Sequence, residues 1–335
     1  MIEERALSTP KEAEDLIRRC GLSINYNVDY TVGIFLNDEI VATGSLSEDM
    51  IQMIAVSPDH QGEDLTAMVI THLMKYAQGM KRNNLYLFTK PEKVNMFTPL
   101  GFSVVAIAKP YAALLEWGTG IKEYCGSIKP KDGDIKGNIS AVIVNCNPFT
   151  LGHRYLIEAA AAQSSRLYVL VVQEELSIFP FDVRFQLVCA GTSHLTNVTV
   201  IPGGRYIVSS LTFPSYFMKD TQLAYAQSAI DVEIFLKHIA PTLGITRRYI
   251  GTEPFSPVTD IYNRTMKERL IPSGIEVIEL PRIEKSGMAI SASRVRALLS
   301  QSNMAAVKEL VPITTYNYLT SEAALPVLNK LQLIE

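Results

Sequence analysis

The sequence predicts an α/β protein in two parts: a mixed α/β domain over residues 1–125 and a doubly wound parallel-sheet domain over 139–335. Three observations predict it. A length of 335 residues favours two domains over one. The hydrophobic pattern changes near residue 139, from short paired strand-like runs to alternating strand and helix. Between the two lies a polar, Gly-containing stretch, 126–138, that reads as a linker.

Composition narrows the function classes. Apolar residues make up 47% of the chain, enough for real cores, and a net charge of −3 gives no electrostatic footprint for nucleic acid. Cys20, Cys125, Cys146 and Cys189 lie far apart with no C-x-x-C pair. That argues against a zinc site or a disulfide framework and suits a reducing compartment. Met1–Arg5 lacks the basic start and apolar core of a signal peptide, and no apolar run reaches membrane-spanning length. These features predict a cytoplasmic protein with neither nucleic acid nor membrane as partner, and no protein-ligated metal.

In the first part, residues 6–20 carry a helical pattern, with Ser8 and Pro10 as its start and Ala13, Leu16 and Ile17 as its apolar face. Thr31–Leu36 and Ile40–Gly44 read as strands joined by an Asn37-Asp38 hairpin turn. Ile51–Val56 is a further strand. Ser57–Gly62 leads from it into a long helix with Leu65, Met68, Val69, Leu73 and Met74 at helical spacing. Leu85–Phe88, a short helix near Val94 and Leu100-Gly101-Phe102 follow.

In the second part, strands at 140–145, 167–172, 198–201, 248–251 and 275–280 alternate with helices from 152, 180 and 218. Such a sheet binds ligands at the carboxyl ends of its strands. Ala141-Val142-Ile143-Val144 runs through Asn147-Pro148-Phe149-Thr150-Leu151-Gly152-His153 into a helix. A strand, a tight turn and a helix N-terminus make a phosphate site, because the first helical amides lack internal partners and the dipole adds positive charge. Gly152 permits close backbone approach. Thr150 and His153 add a hydroxyl and an imidazole. Ile290-Ser291-Ala292-Ser293-Arg294-Val295-Arg296 opens a second helix, with hydroxyls for capping or phosphate and a forked guanidinium.

Thr150-x-Gly152-His153 and Ile290-Ser291-x-Ser293-x-x-Arg296 resemble the two signatures of the nucleotidyltransferase superfamily. The resemblance implies a Rossmann-like domain that binds ATP, with Mg²⁺ carried by the polyphosphate. It also implies attack at the α-phosphate, where no protein nucleophile is needed. Thr150, His153 and Arg296 would be catalytic. Asn147, Phe149, Gly152, Ser291 and Ser293 would bind ATP or phosphate, with Glu253 on the adenosine side. Members of the superfamily often carry a Lys soon after the second strand. Gln173-Glu174-Glu175-Leu176-Ser177 has none, so that contact must be absent or come from elsewhere.

The order of elements over 1–125, with Leu100-Gly101-Phe102, resembles the GNAT-type N-acetyltransferase domain. The glycines of that family's pyrophosphate loop fall here on Asp64 and Thr66, and Glu63 and Asp64 put carboxylates at the phosphate position. That disfavours an anionic ligand and points to a scaffold that lost acetyl transfer.

The pairing of these domains, with Thr212–Asp220 and Gly251–Asn263, resembles the citrate lyase ligase family over nearly the whole chain. The resemblance implies an AMP-forming ligase that activates acetate as acetyl-adenylate. It then acetylates the phosphoribosyl-dephospho-coenzyme A thiol on the acyl carrier subunit of citrate lyase. Phe179, Phe181 and Phe213 could shape a niche for the methyl group, and Arg184 or Arg205 could partner a carboxylate or phosphate. Lys285 stands near the second motif. Three alternatives share parts of the pattern. A cofactor adenylyltransferase acting on phosphopantetheine or nicotinamide mononucleotide shares both motifs, but leaves 1–125 unexplained. An active GNAT-type acetyltransferase is opposed by Asp64 and Thr66. A nucleotide-binding regulator is opposed by the intact set of motif residues.

Overall fold

The computed structural model describes the chain except residues 132, 134–135, 174–176, 210, 212–220, 253–256 and 334–335, and the side chains of 221–224 and 257–258. The chain divides into two compact units, Met1–Tyr124 with Phe213–Ile234, and Cys125–Thr212 with Phe235–Glu335.

The first unit begins with β1 (Ile2–Leu7) and α1 (Glu14–Arg19). Thr9, rather than Ser8, starts the helical segment. Its hydroxyl accepts from the Lys11 amide, and Glu12 reaches back to the Thr9 amide in a capping box over Pro10–Ala13. The strand at 2–7 takes the front of the stretch that reads as helical from 6. Next come β2 (Tyr30–Leu36), β3 (Glu39–Ser47), β4 (Met50–Val56), α2 (Leu65–Gly79), β5 (Leu85–Thr89), β6 (Ser103–Ala108) and β7 (Ala112–Trp117). Asn37 and Asp38 both take positive φ, as the tight β2–β3 hairpin requires.

The seven strands form one sheet in the order β1-β2-β3-β4-β5-β7-β6. β4 and β5 are parallel and pair only at Met50–Tyr86 and Ile51–Leu87, after which they diverge. This order and its parallel pair are those of the GNAT-like mixed α/β fold. A cavity of about 1190 Å³ occupies the divergence, lined by β4, the end of β5 and the start of α2. Val69, Ile70 and Leu73 of α2 are fully buried against the sheet, with Val32, Ile34, Leu46 and Leu87.

Helix α3 (Gly120–Ile128) runs into the stretch expected as linker, so 126–128 are helical rather than extended. The second unit then alternates: β8 (Ile139–Val144), α4 (Leu151–Ala162), β9 (Arg166–Val171), α5 (Phe181–Thr192) and β10 (Val198–Pro202). Helix α6 (Thr221–Ile234) was expected in this unit. It packs instead on β6 and β7 of the first, where Tyr225 meets Tyr111 edge-on at 4.9 Å. A π turn at Phe235–Ile239 follows, then α7 (Ala240–Leu243), β11 (Arg247–Gly251), α8 (Pro257–Leu270), β12 (Glu276–Leu280) and α9 (Ala292–Ser300). Three short helices, α10 (Met304–Lys308), α11 (Ile313–Leu319) and α12 (Leu325–Gln332), end the described chain.

The main sheet of this unit has five strands, all parallel, in the order β10-β9-β8-β11-β12, and Glu284–Lys285 pairs antiparallel with Met288–Ala289 in a short hairpin apart from it. The order reverses at β8. Such a sheet places its ligand crevice outside the carboxyl ends of β8 and β11, where the order reverses. Among the described residues no helix is long and apolar enough to cross a membrane.

Candidate active site at the carboxyl edge of the parallel sheet

β8 delivers the chain to this crevice. Its apolar residues are buried on both faces, as a central parallel strand requires. Cys146 then turns the chain with φ of 53°, and Asn147–Pro148 is a cis peptide. The Cys146 thiol is fully buried, and burial pushes its pKa up, so it stays a neutral packing residue. Phe149, expected at the nucleotide, is 0% exposed. A Cβ at Gly191 of α5 would stand 2.3 Å from its ring, so Gly191 makes the room and Phe149 anchors the turn to the core.

Thr150 is the N-cap of α4, and with His153 it forms a capping box of unusual composition. The Thr150 amide donates to Nδ1 of His153 at 3.1 Å, and the Thr150 hydroxyl lies 2.9 Å from the same nitrogen. The His153 amide donates to the Thr150 hydroxyl at 3.4 Å. An Nδ1 that accepts from a backbone amide carries no proton, so the neutral ring holds its proton on Nε2. Burial, with the Arg282 guanidinium adding to it, pushes the His153 pKa down to about 4. The ring is therefore a neutral Nε2–H donor near pH 7. Thr150 itself is 1% exposed. Its hydroxyl is turned to His153, where it helps to fix the imidazole.

Gly152 answers a packing demand more than a ligand. A Cβ there would meet the Ile290 carbonyl at 2.9 Å. The start of α4 thus lies directly against the second motif. The Leu151 amide donates to the Leu310 carbonyl at 2.9 Å, while the Gly152 amide has no acceptor among the described residues. Ser291 N-caps α9 and accepts from the Arg294 amide at 3.2 Å. Ser293 is exposed and accepts from Arg296 at 3.3 Å. Arg296 also donates to the Asn147 carbonyl at 2.5 Å, and Asn147 Oδ1 accepts from the Phe179 amide at 3.0 Å. Residues 149 positions apart in the chain thus hold each other at one edge.

Several of the expected ligand residues take other places. Arg184 is 0% exposed, and its guanidinium donates to the carbonyls of Phe179, Asn145 and Val172 and to Asn145 Oδ1. It is a clamp beneath the site, not a carboxylate partner, because its fork is filled by buried acceptors. Arg205 is exposed on the short turn past β10, the edge strand two places from β8. At about 4.8 Å per strand that is roughly 10 Å from the His153 turn. Phe179 is buried in a second core with Val295 and Leu299, so it too packs rather than lines a niche. Lys285 pairs with Glu309 at 2.9 Å. Glu253 and Phe213 lie outside the described residues.

Arg282 went unread in the sequence. It stands two residues past β12, and its Nε donates to the Thr252 carbonyl at 2.7 Å, at the end of β11. Its one sequence signal is its place, just beyond a strand's carboxyl end, where a parallel sheet puts ligand contacts.

With this geometry in place, known proteins can be compared. Residues 139–319 match the citrate lyase ligase C-terminal domain family. A citrate (pro-3S)-lyase ligase from Haemophilus influenzae is 39% identical over 91% of this chain and 93% of its own. Those of Klebsiella pneumoniae and Escherichia coli are 38% and 35% identical, each over 92% of this chain, and 92% and 89% of their own lengths. The chain belongs to the citrate lyase ligase family. It is thus a member of a ligase family, as the paired domains and motifs implied. Solved structures similar to part of the chain include an IAA acetyltransferase from Bacillus cereus, 17% identical over 35% of the chain with a TM-score of 0.30. That structure is matched over 98% of its own length. In this ligase family member, Arg296 and Gly152 bring the two motif segments together, and the Thr150 amide holds Nδ1 of His153 beside them.

Proposed function

We propose that this chain is an AMP-forming acid–thiol ligase that activates acetate with Mg-ATP and acetylates the prosthetic thiol on the acyl carrier subunit of citrate lyase. The observation that carries the reading is the junction of the two motifs: Arg296 bound to the Asn147 carbonyl, with Gly152 against Ile290.

An acetate oxygen forms a bond to the α-phosphorus as the bond to the bridging oxygen breaks, and pyrophosphate leaves with that oxygen. The carrier thiolate then forms its bond to the acetyl carbon, and AMP leaves with the mixed-anhydride oxygen. Neither step uses a nucleophile of the protein. Both need charge to be met as it develops on phosphoryl oxygens. His153 Nε2–H and the Gly152 amide are suited to the α-phosphate. Ser293 and Arg296 are suited to the departing β- and γ-phosphates. Among the described residues no cluster of three or more His, Cys, Asp or Glu could hold a metal. Mg²⁺ enters this reading as part of the nucleotide substrate.

The test is release of AMP and pyrophosphate from Mg-ATP with acetate and the thiol-form carrier, each omitted in turn. AMP release that needs both, with thioester formed on the carrier, is the expected result. Turnover without acetate but with phosphopantetheine or nicotinamide mononucleotide would instead make the chain a cofactor adenylyltransferase.

A further inference from the structure

Charge is unevenly placed in the first unit. Residues 1–124 hold 11 Lys and Arg against 16 Asp and Glu, so this stretch is acidic. The cavity between the diverging strands β4 and β5 is the exception. Its lining includes Arg19, Lys90 and Lys93, with Asp64 as the single carboxylate. Three of the four arginines in this stretch are paired: Arg5 with Glu3 at 2.6 Å, Arg18 with Glu14 at 2.6 Å and Arg82 with Asp29 at 2.8 Å. Arg19, Lys90 and Lys93 make no ion pair and no side-chain hydrogen bond among the described residues.

Local geometry sets two of these cations side by side. Lys90 precedes the 3₁₀ turn Pro91–Met96, and the Lys93 amide donates to the Lys90 carbonyl at 2.9 Å. Three residues per turn put Lys90, Lys93 and Met96 on one face, and all three line the cavity. Glu92 falls on another face and is absent from the lining. Apolar surface lies in the same lining. Met96 is 47% exposed and Leu22 is 36% exposed, large side chains that the protein leaves uncovered here. His60 lines the cavity as well, and its Nδ1 is buried without a hydrogen-bond partner, a polar demand that the protein itself does not meet. The volume of about 1190 Å³ matches or exceeds the roughly 300–1,000 Å³ of pockets for drug-sized ligands, so an ion as small as acetate does not fill it.

We propose that this cavity binds an amphipathic organic anion, an aliphatic chain ending in a carboxylate or a phosphate. Its head is met by Lys90 and Lys93, with Arg19 in the same lining, and its chain covers Leu22 and Met96. Asp64 decides which way the ligand lies. It stands at the start of α2 and repels an anion there, while the two ammonium groups past the end of β5 attract one. The charge is therefore met by side chains at the β5 end and not by the α2 amides. Burial of the chain supplies most of the affinity, and the cations select an anion over a neutral chain of the same length. The site belongs to the first unit and does not rest on the ligase reading.

The test is calorimetric titration of the full chain with sodium octanoate, octyl phosphate and neutral octanamide, on wild type and on the double variant Lys90→Gln, Lys93→Gln. Hydrogen exchange locates the bound chain. At least one of the two anions is expected to saturate with a Kd of about 1 mM or below. The tighter of them shows which head the site prefers. Octanamide should bind at least ~10-fold more weakly, and the double variant should lose ~10-fold toward the anion while its affinity for octanamide stays unchanged. Protection should appear at the amides of β4 and of residues 92–96, and acetate at the same concentration should produce none. Thermal unfolding is followed alongside. If the double variant unfolds early, Lys90→Gln and Lys93→Gln are titrated singly, each expected to weaken anion binding about threefold. Three results overturn the proposal: no saturation by either anion below about 10 mM, equal affinity for the anions and octanamide, or variants that fold and bind the anion as wild type does.

Discussion

At the scale of single residues, the site is set by who donates to whom. His153 presents a proton on Nε2 because the Thr150 amide occupies Nδ1. His153→Ala is therefore expected to lower turnover by at least ~10²-fold, the scale of one preorganised donor, with unfolding close to wild type. Thr150→Val keeps the backbone donor but loses the hydroxyl cap of α4. It should cost about 1 kcal/mol of stability in urea unfolding, with a smaller loss of turnover than His153→Ala. His153 also makes stability depend on pH. Its folded pKa of about 4 lies below its ordinary value of 6.5. The folded protein thus binds that proton later than the unfolded chain does. The contribution is fully present above pH 6.5 and is lost as pH falls toward 4, with a slope of at most ~1.4 kcal/mol per pH unit. His153→Gln should remove that component, narrowing the stability difference between pH 7 and pH 5 relative to wild type.

At the scale of elements, loops are fixed by buried polar side chains whose role the sequence does not display. Arg184 satisfies three backbone carbonyls from the ends of β8 and β9 and the approach to α5. Arg184→Met leaves those carbonyls without donors. It should cost roughly 3–5 kcal/mol, read as a large drop in thermal midpoint. A soluble, normally stable Arg184→Met that has lost acetate dependence would return this residue to the carboxylate. The motif turns were legible because strand, Gly and helix cap are local. So was the β2–β3 hairpin, whose Asn37-Asp38 turn needs positive φ. β1 was not, because Glu3, Glu4 and Arg5 give it a solvated edge strand with little apolar signal. Arg184 and Arg282 were misread or unread for one reason: a guanidinium serves a carbonyl as readily as a phosphate, and only burial and placement separate the two. The allegiance of α6 was equally hidden, since helical spacing shows that a face is buried but not against which sheet.

At the scale of the whole molecule, the fold order was legible while the chemistry of each unit depends on a few departures from it. The first unit keeps the GNAT-like sheet and a cavity between diverging parallel strands. The turn into α2 carries two carboxylates. Asp64 caps α2 in the left-handed region at φ of 56° with no side-chain cap bond, and Glu63 beside it is exposed. A pyrophosphate at the α2 amides would meet two carboxylates within a few ångströms. Acetyl-coenzyme A is therefore expected not to raise the thermal midpoint of the protein at millimolar concentration. Mg-ATP at 100 times its Kd should stabilise the unit that binds it by about 2.7 kcal/mol. Hydrogen exchange should place that protection at the starts of α4 and α9 and leave β2–β4 unchanged. Asp64→Gly suits the left-handed backbone and removes one of the two charges. It should raise stability by up to about 1 kcal/mol and bring acetyl-coenzyme A binding into view by calorimetry. Wild-type protein that binds acetyl-coenzyme A at micromolar concentration would show that the carboxylates do not govern this loop, and the first unit would regain acyl transfer as a candidate activity.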